Sequence, residues 1–196
     1  MGACNHVSCP FRPVGHALDA VIFTAGATVE LWLNGVSLGK KEVPDMGIVR
    51  YTNVTFAPGS LKAVSWDIAG KQLANATVTT TKPVAVIVLS AEAGHAALSA
   101  DGQDTALVRV EIQDADGGFV PSADQNISFT IEGPGRIYGV ANGDPVDHSP
   151  DKAVYRAAFK GLARVLVQAG RTPGQIVLHA TANGLKGGSL IIPTHA

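Results

Sequence analysis

The fold is decided by Gly133–Gln168, GPGRIYGVANGDPVDHSPDKAVYRAAFKGLARVLVQ. The first half is a polar loop rich in Gly, Asn, Asp and Pro. The second half is two runs in which apolar and polar residues alternate. Gly, Asn and Asp tolerate left-handed backbone and Pro fixes its own φ, so GVANGDPVDHSP predicts an ordered, non-repetitive loop. Val165 and Val167 alternate with Arg164, Leu166 and Gln168, which is the period of a strand and not of a helix. A long loop held between strands is a place to look for binding or docking.

Working outward in both directions, the same pattern recurs. VAVIVLS, ALVRVEIQD, NISFTIE, GQIVLHATA and GGSLIIP are further short alternating runs, with Val108, Val110, Ile112, Ile127, Phe129 and Ile131 assigned inward. Upstream, TVELWLN sets Val29, Leu31 and Leu33 on one side and Glu30, Trp32 and Asn34 on the other. Asn34-Gly35 follows at once, a hairpin signal, because a type I′ turn needs positive φ at both central residues. Pro58-Gly59 and Ala69-Gly70-Lys71 mark two more turns. No stretch reads as a convincing helix. The expected architecture is all-β: an irregular leader over 1–17, a small sandwich over 18–81 and an immunoglobulin-like sandwich over 83–196, joined by a short linker near Thr79–Pro83.

Composition bounds the function. Of the 196 residues, 46% are apolar and only 16% charged, and the net charge is −1 with no basic run, so phosphate-driven nucleic-acid binding is not expected. No apolar run is long enough for a membrane-spanning helix, and the start lacks a charged region followed by an apolar core, so neither a span nor a secretory signal is read and no compartment follows. Cys4, His6 and Cys9 form a CxHxxC-like cluster in the leader. Two Cys and one His fall short of four zinc ligands, and free thiols are the simpler reading.

With these residues in view, the chain resembles a known family. VELWLNGVSLGKKEV (29–43) and APGSLKAVSWDIAGKQLANATVTT (57–80) resemble the fourth domain of glycoside hydrolase family 2 enzymes of the β-galactosidase type. LSADGQDTALVRVEIQDADGGFVPSADQNISFTIEGPG, IYGVANGDPVDH and YRAAFKGLARVLVQA resemble the fifth, C-terminal domain of the same enzymes. The likeness runs from about Asp19 to Ile192. Its ADG…GPG segment is also loosely similar to invasin-like bacterial modules. One departure is Ser149 after His148, where the family pattern usually has Glu. The sugar-binding first domain and the catalytic barrel of the family lie outside this sequence.

The resemblance implies a non-catalytic accessory region, with the barrel and upstream domains of a parent glycosidase as partners and no cofactor or metal. A retaining glycosidase needs two carboxyls about 5–5.5 Å apart, and its barrel takes about 250 residues. Here Glu30, Glu111 and Glu132 fall on alternating strand positions that read as a solvated face, and no residue is assigned a catalytic role. Asp144, Asp147 and His148 lack the strand–turn–helix setting of a nucleophile elbow, so Asn142 and Asp144 are expected to cap turns and His148 to pack on the loop. Asp114-Ala-Asp116-Gly117 suggests a calcium loop, but Gln125 stands where an EF-hand needs Glu, and a plain hairpin turn is the better reading.

Two alternatives carry other surfaces. Trp32, Tyr51 and Trp66 could form an aromatic platform for a sugar ring. A carbohydrate-binding module would use that platform or the Asn142–Asp144–His148 loop. An inter-domain contact explains the outward Trp32 better, since removing upstream domains leaves such a surface bare. An adhesion or spacer module of the invasin-like kind is the other alternative. The sequons at Asn53, Asn75 and Asn126 matter only in a secreting eukaryote.

Overall fold

The computed structural model describes residues 14–94 and 96–196; Cys4, His6 and Cys9 lie outside the described residues. These residues are all-β and divide into two compact units, one ending at Thr80 and one spanning Thr81–Ala196.

Unit 1 holds β1 (Ala17–Phe23), β2 (Thr28–Leu33), β3 (Val36–Glu42), β4 (Ile48–Thr55), β5 (Ser60–Trp66) and β6 (Gln72–Thr79). A two-stranded sheet, β1-β4, faces a four-stranded sheet ordered β3-β2-β5-β6, all antiparallel. Val29 and Leu31 point into the space between them, where they meet Ala20, Val49 and Tyr51. The β2–β3 hairpin turns at Asn34 (φ 52°) and Gly35 (φ 81°), the two positive values that a type I′ turn requires. Asn34 does more than turn: its Oδ1 accepts from Ser60 N at 2.7 Å and its Nδ2 donates to Pro58 O at 3.0 Å, tying this hairpin to the next turn. Gly15 N donates to Phe56 O and Phe56 N to His16 O, so the last residues of the expected leader extend the β1–β4 ladder.

Unit 2 holds β7 (Val84–Ala91), β8 (Leu98–Ser99), β9 (Thr105–Asp114), β10 (Asn126–Glu132), β11 (Gly135–Ala141), β12 (Tyr155–Ala157), β13 (Leu162–Ala169), β14 (Gly174–Thr181) and β15 (Gly188–His195). Its sheets are β11-β13-β9-β7 and β12-β10-β14-β15-β8, antiparallel except where β15 runs parallel to β8. The strict alternation in β9 and β13 buries Ala106, Val108, Val110 and Ile112 against Val165, Val167, Ile127, Phe129, Ile176, Leu178 and Ile192. Small and branched side chains dominate, so the two sheets close on each other without a wide interior. β11 and β12 are edge strands of different sheets, and residues 142–154 carry the chain from one to the other. That places the Asn-Gly-Asp-Pro loop at the side of the sandwich.

Candidate functional site

The 142–156 loop is built around a buried guanidinium. Arg156 sits opposite Ile127 in the β10–β12 pair, on the inward phase of β12, and is 2% exposed. Its Nη1 donates to Asp147 Oδ2 at 2.9 Å. Its Nη2 donates to Val140 O at 3.0 Å and to Asp151 Oδ1 at 2.8 Å. One side chain therefore joins the last turn of β11, the loop and β12. Asn142 Nδ2 donates to the same Asp147 Oδ2 at 2.7 Å and to Ala157 O at 3.0 Å, while Ser149 N donates to Asp147 Oδ1 at 2.8 Å. Hydrogen bonds from the Ser149 hydroxyl and N–H, then from Arg156 and Asn142, hold the Asp147 carboxyl well below the usual carboxylate range. A general acid needs its pKa raised toward neutrality, so this environment pushes Asp147 the wrong way for acid catalysis.

Asn142 and Asp144 behave as turn residues: Asn142 Oδ1 accepts from Asp144 N at 3.1 Å, and Asp144 Oδ1 from Val146 N at 3.0 Å. His148 differs from expectation. It is exposed, while the loop's interior is occupied by Arg156 and Asp147. Sequence reading passed over Arg156 and gave Asp147 no role in holding the loop. The available signal was phase: in AVYRAAF, Arg156 shares its side of the strand with Ala158, which is buried.

The aromatic trio does not assemble. Tyr51 is 3% exposed in the core of unit 1, with its hydroxyl 3.0 Å from Val29 O and 2.8 Å from Gly39 O, so its one proton is committed to backbone. Burial raises its pKa further. Lys41 Nζ lies 4.4 Å from its ring centre. Trp32 and Trp66 do meet, on the face of β2 and β5 turned away from that core, with ring centres 6.0 Å apart and planes at 62°. Lys40 Nζ stands 4.4 Å from the Trp66 ring centre. An edge-to-face pair with an ammonium over one ring is an internally satisfied cluster and not a flat stacking surface.

The DADGG turn uses its own carboxylate. Asp114, 4% exposed, accepts from Gly118 N at 2.8 Å and Asp116 N at 3.0 Å through Oδ1, and from Lys82 N at 2.9 Å through Oδ2. Those backbone donors, Lys82 first, pull its pKa down. Both oxygens are thus engaged without a cation. Asp101 does the same for the next turn, accepting from Gln103 N and Asp104 N, and its pKa is lowered by the same cause. Among the described residues, no group of three or more His, Cys, Asp or Glu side chains is placed to hold a metal ion.

Comparison with known proteins adds the context that the geometry lacks. Residues 89–191 match the model described as glycoside hydrolase family 2 C-terminal domain 5, and residues 15–74 match a domain of unknown function, DUF4982. A β-galactosidase of Bacteroides ovatus is 36% identical over 160 residues, covering 81% of this chain and 18% of that protein. A β-glucuronidase of Formosa agariphila is 28% identical over 174 residues, covering 88% of this chain and 17% of that protein. Among solved structures, a glycosyl hydrolase family 2 member from Bacteroides cellulosilyticus superimposes with a TM-score of 0.88 at 30% identity, over 93% of this chain and 23% of that one. A β-glucuronidase of family 2 gives a TM-score of 0.85 at 26% identity over 98% of this chain and 20% of that one. The chain spans less than a fifth of the length of these curated relatives.

Proposed function

The chain belongs to glycoside hydrolase family 2, in its C-terminal β-domains, and on that premise we propose that it is a non-catalytic accessory region that packs on and supports a catalytic barrel carried by the rest of a larger glycosidase. The observation that carries the reading is coverage. Both units match in order, yet together they correspond to only 18% of the Bacteroides ovatus β-galactosidase. The chemistry of the loops agrees with it: Asp101, Asp114 and Asp147 all have lowered pKa values because backbone and side-chain donors hold them. Partners are then the other domains of the parent enzyme, whose substrate is a β-galactoside or β-glucuronide by analogy with the named relatives.

The test is to read the DNA that flanks the 196-residue frame and to assay the purified chain on nitrophenyl β-galactoside and β-glucuronide, alongside any longer polypeptide in which that DNA places it. The expected result is turnover by the longer protein only. Turnover by the short chain that disappears on Glu30→Gln, Glu111→Gln or Glu132→Gln would overturn the reading. A carbohydrate-binding role for the Trp32–Trp66 surface has weaker support, since Tyr51 is buried and Lys40 lies over Trp66.

A further inference from the structure

Three turns meet at one end of unit 1. Residues 24–27 and 43–47 are cross-linked by backbone hydrogen bonds, Thr24 N to Gly47 O at 2.9 Å and Val43 N to Ala27 O at 2.9 Å, and Ala27 N donates at 2.7 Å to Trp66 O, at the end of β5 just before the turn at 67–71. They are packed closely enough that a Cβ on Gly26 would lie 2.8 Å from Trp66 O, and one on Gly47 would lie 2.6 Å from Thr24 O. From this rigid end project Phe23 at 51% exposure, Met46 at 84% and Ile68 at 96%. Phe23 pairs with Ile48 across β1–β4, and Pro44, Asp45, Met46, Ile48 and Arg50 line a shallow concavity beside it. The chain joins and leaves unit 1 at the opposite end, where Gly15 and His16 pair with Phe56 and Thr80 N donates to Gly59 O.

We infer that this apolar turn end, centred on Phe23, Met46 and Ile68, docks against the remainder of the family 2 polypeptide and fixes the orientation of unit 1. The inference rests on the accessory reading above and adds the surface through which it works. Three arguments select this occupant. Three exposed apolar side chains are far fewer than the roughly 20–30 residues a side that a stable separate complex uses. A contact this small holds when both sides belong to one chain, because effective concentration replaces area. The relatives supply that other side, since more than four fifths of their length lies outside the matched region. The rim carries Asp45 and Asp67 with Arg50 and Lys71, two charges of each sign, which suits a protein surface and not an anionic membrane. A unit tethered covalently at one end is held in orientation by a second contact at the other, and hydrogen-bonded turns spare that contact the cost of ordering backbone.

The test is peroxide oxidation of Met46, followed by peptide mass spectrometry, in the 196-residue chain and in the longer polypeptide. Sulfoxide formation should be slower by about tenfold or more in the longer protein, because burial withholds the thioether. Equal rates in a longer protein that carries a family 2 barrel would overturn the docking inference and leave the accessory reading standing. A gene that encodes no barrel would overturn both. Protection of Met46 in the short chain that grows with its concentration would assign the surface to a second copy and overturn the inference. Ile68→Glu gives an independent readout: melting of the short chain stays unchanged, while that of the longer protein falls. No fall in the longer protein would count against docking.

Discussion

Replacing Arg156 with Met should cost unit 2 about 3 kcal/mol, and the figure follows from its contacts. The guanidinium is 2% exposed and makes three hydrogen bonds, to Asp147, Val140 O and Asp151. The Asp151 carboxylate is 86% exposed, so that bond contributes about 0–1 kcal/mol. The other two are charge-assisted and sheltered, about 1.5–3 kcal/mol each. Arg156 Nε has no partner and adds nothing. Against their sum stands the cost of burying the guanidinium, which Met avoids, leaving about 3 kcal/mol, in the range for breaking one side of a buried pair. For the 116 residues of Thr81–Ala196 this is a fall in melting temperature of roughly 10–15 °C. Both tryptophans lie in unit 1, so unit 2 is followed by amide exchange, where protection at Val140 and Ser149 should be lost first. Arg156→Lys keeps the charge but not the planar fork, and should recover less than half of the loss. The pH dependence has a fixed sign. Asp147 has a lowered folded pKa, so its stabilisation is fully present above the unfolded value near 3.8 and is lost as pH falls through the folded one. Loop protection should therefore be flat from neutrality to about pH 5. A loss in Arg156→Met below about 1 kcal/mol would refute the claim that this residue closes the loop.

Tyr51→Phe should destabilise unit 1 by about 1 kcal/mol, measured by urea unfolding with Trp emission, because Val29 O and Gly39 O lose their hydroxyl donor; no change would mean that water replaces the hydroxyl there. Gly133→Ala should lower the melting temperature sharply: Gly133 has φ 89°, and an added Cβ would collide with the carbonyl oxygen of Gln175. Recovery of wild-type melting in that variant would show that the β10–β11 turn can relax. Millimolar calcium or a chelator should leave thermal unfolding unmoved, since three backbone N–H groups already occupy the Asp114 carboxylate; a calcium-dependent rise would identify a cation site there.

What the sequence made legible was chemistry that acts over a few residues. Asn34-Gly35 fixes its turn whatever surrounds it, and the alternation in Thr105–Asp114 and Leu162–Ala169 dictates which side is buried. Tyr51 was misread because an aromatic ring with a polar tip suits a surface as well as a core. The choice was made by Val29 O and Gly39 O, 22 and 12 residues away in sequence. Arg156 was missed for the same reason: a charged residue on an inward strand phase is unfavourable until Asp147 and Val140 come round to meet it, and only the closed loop brings them there. The outward phase of Trp32 was legible, but its 62° crossing with Trp66 and the Lys40 cover were not, since ring orientation depends on neighbours on three strands.

The carboxylates of the loops bear on the proposed accessory role through their own chemistry. Asp101, Asp114 and Asp147 each bind turn N–H groups, and each has its pKa driven down. A carboxylate held that way is a strong acceptor for the backbone and a poor proton donor to a leaving group, so the devices that make these loops rigid also make them unfit for acid catalysis. Rigid loops on tightly closed sheets can still position something else. On the proposed accessory reading, loosening the 142–156 loop or the turns of unit 1 should lower the melting temperature of a longer polypeptide carrying a family 2 barrel before it lowers that protein's turnover.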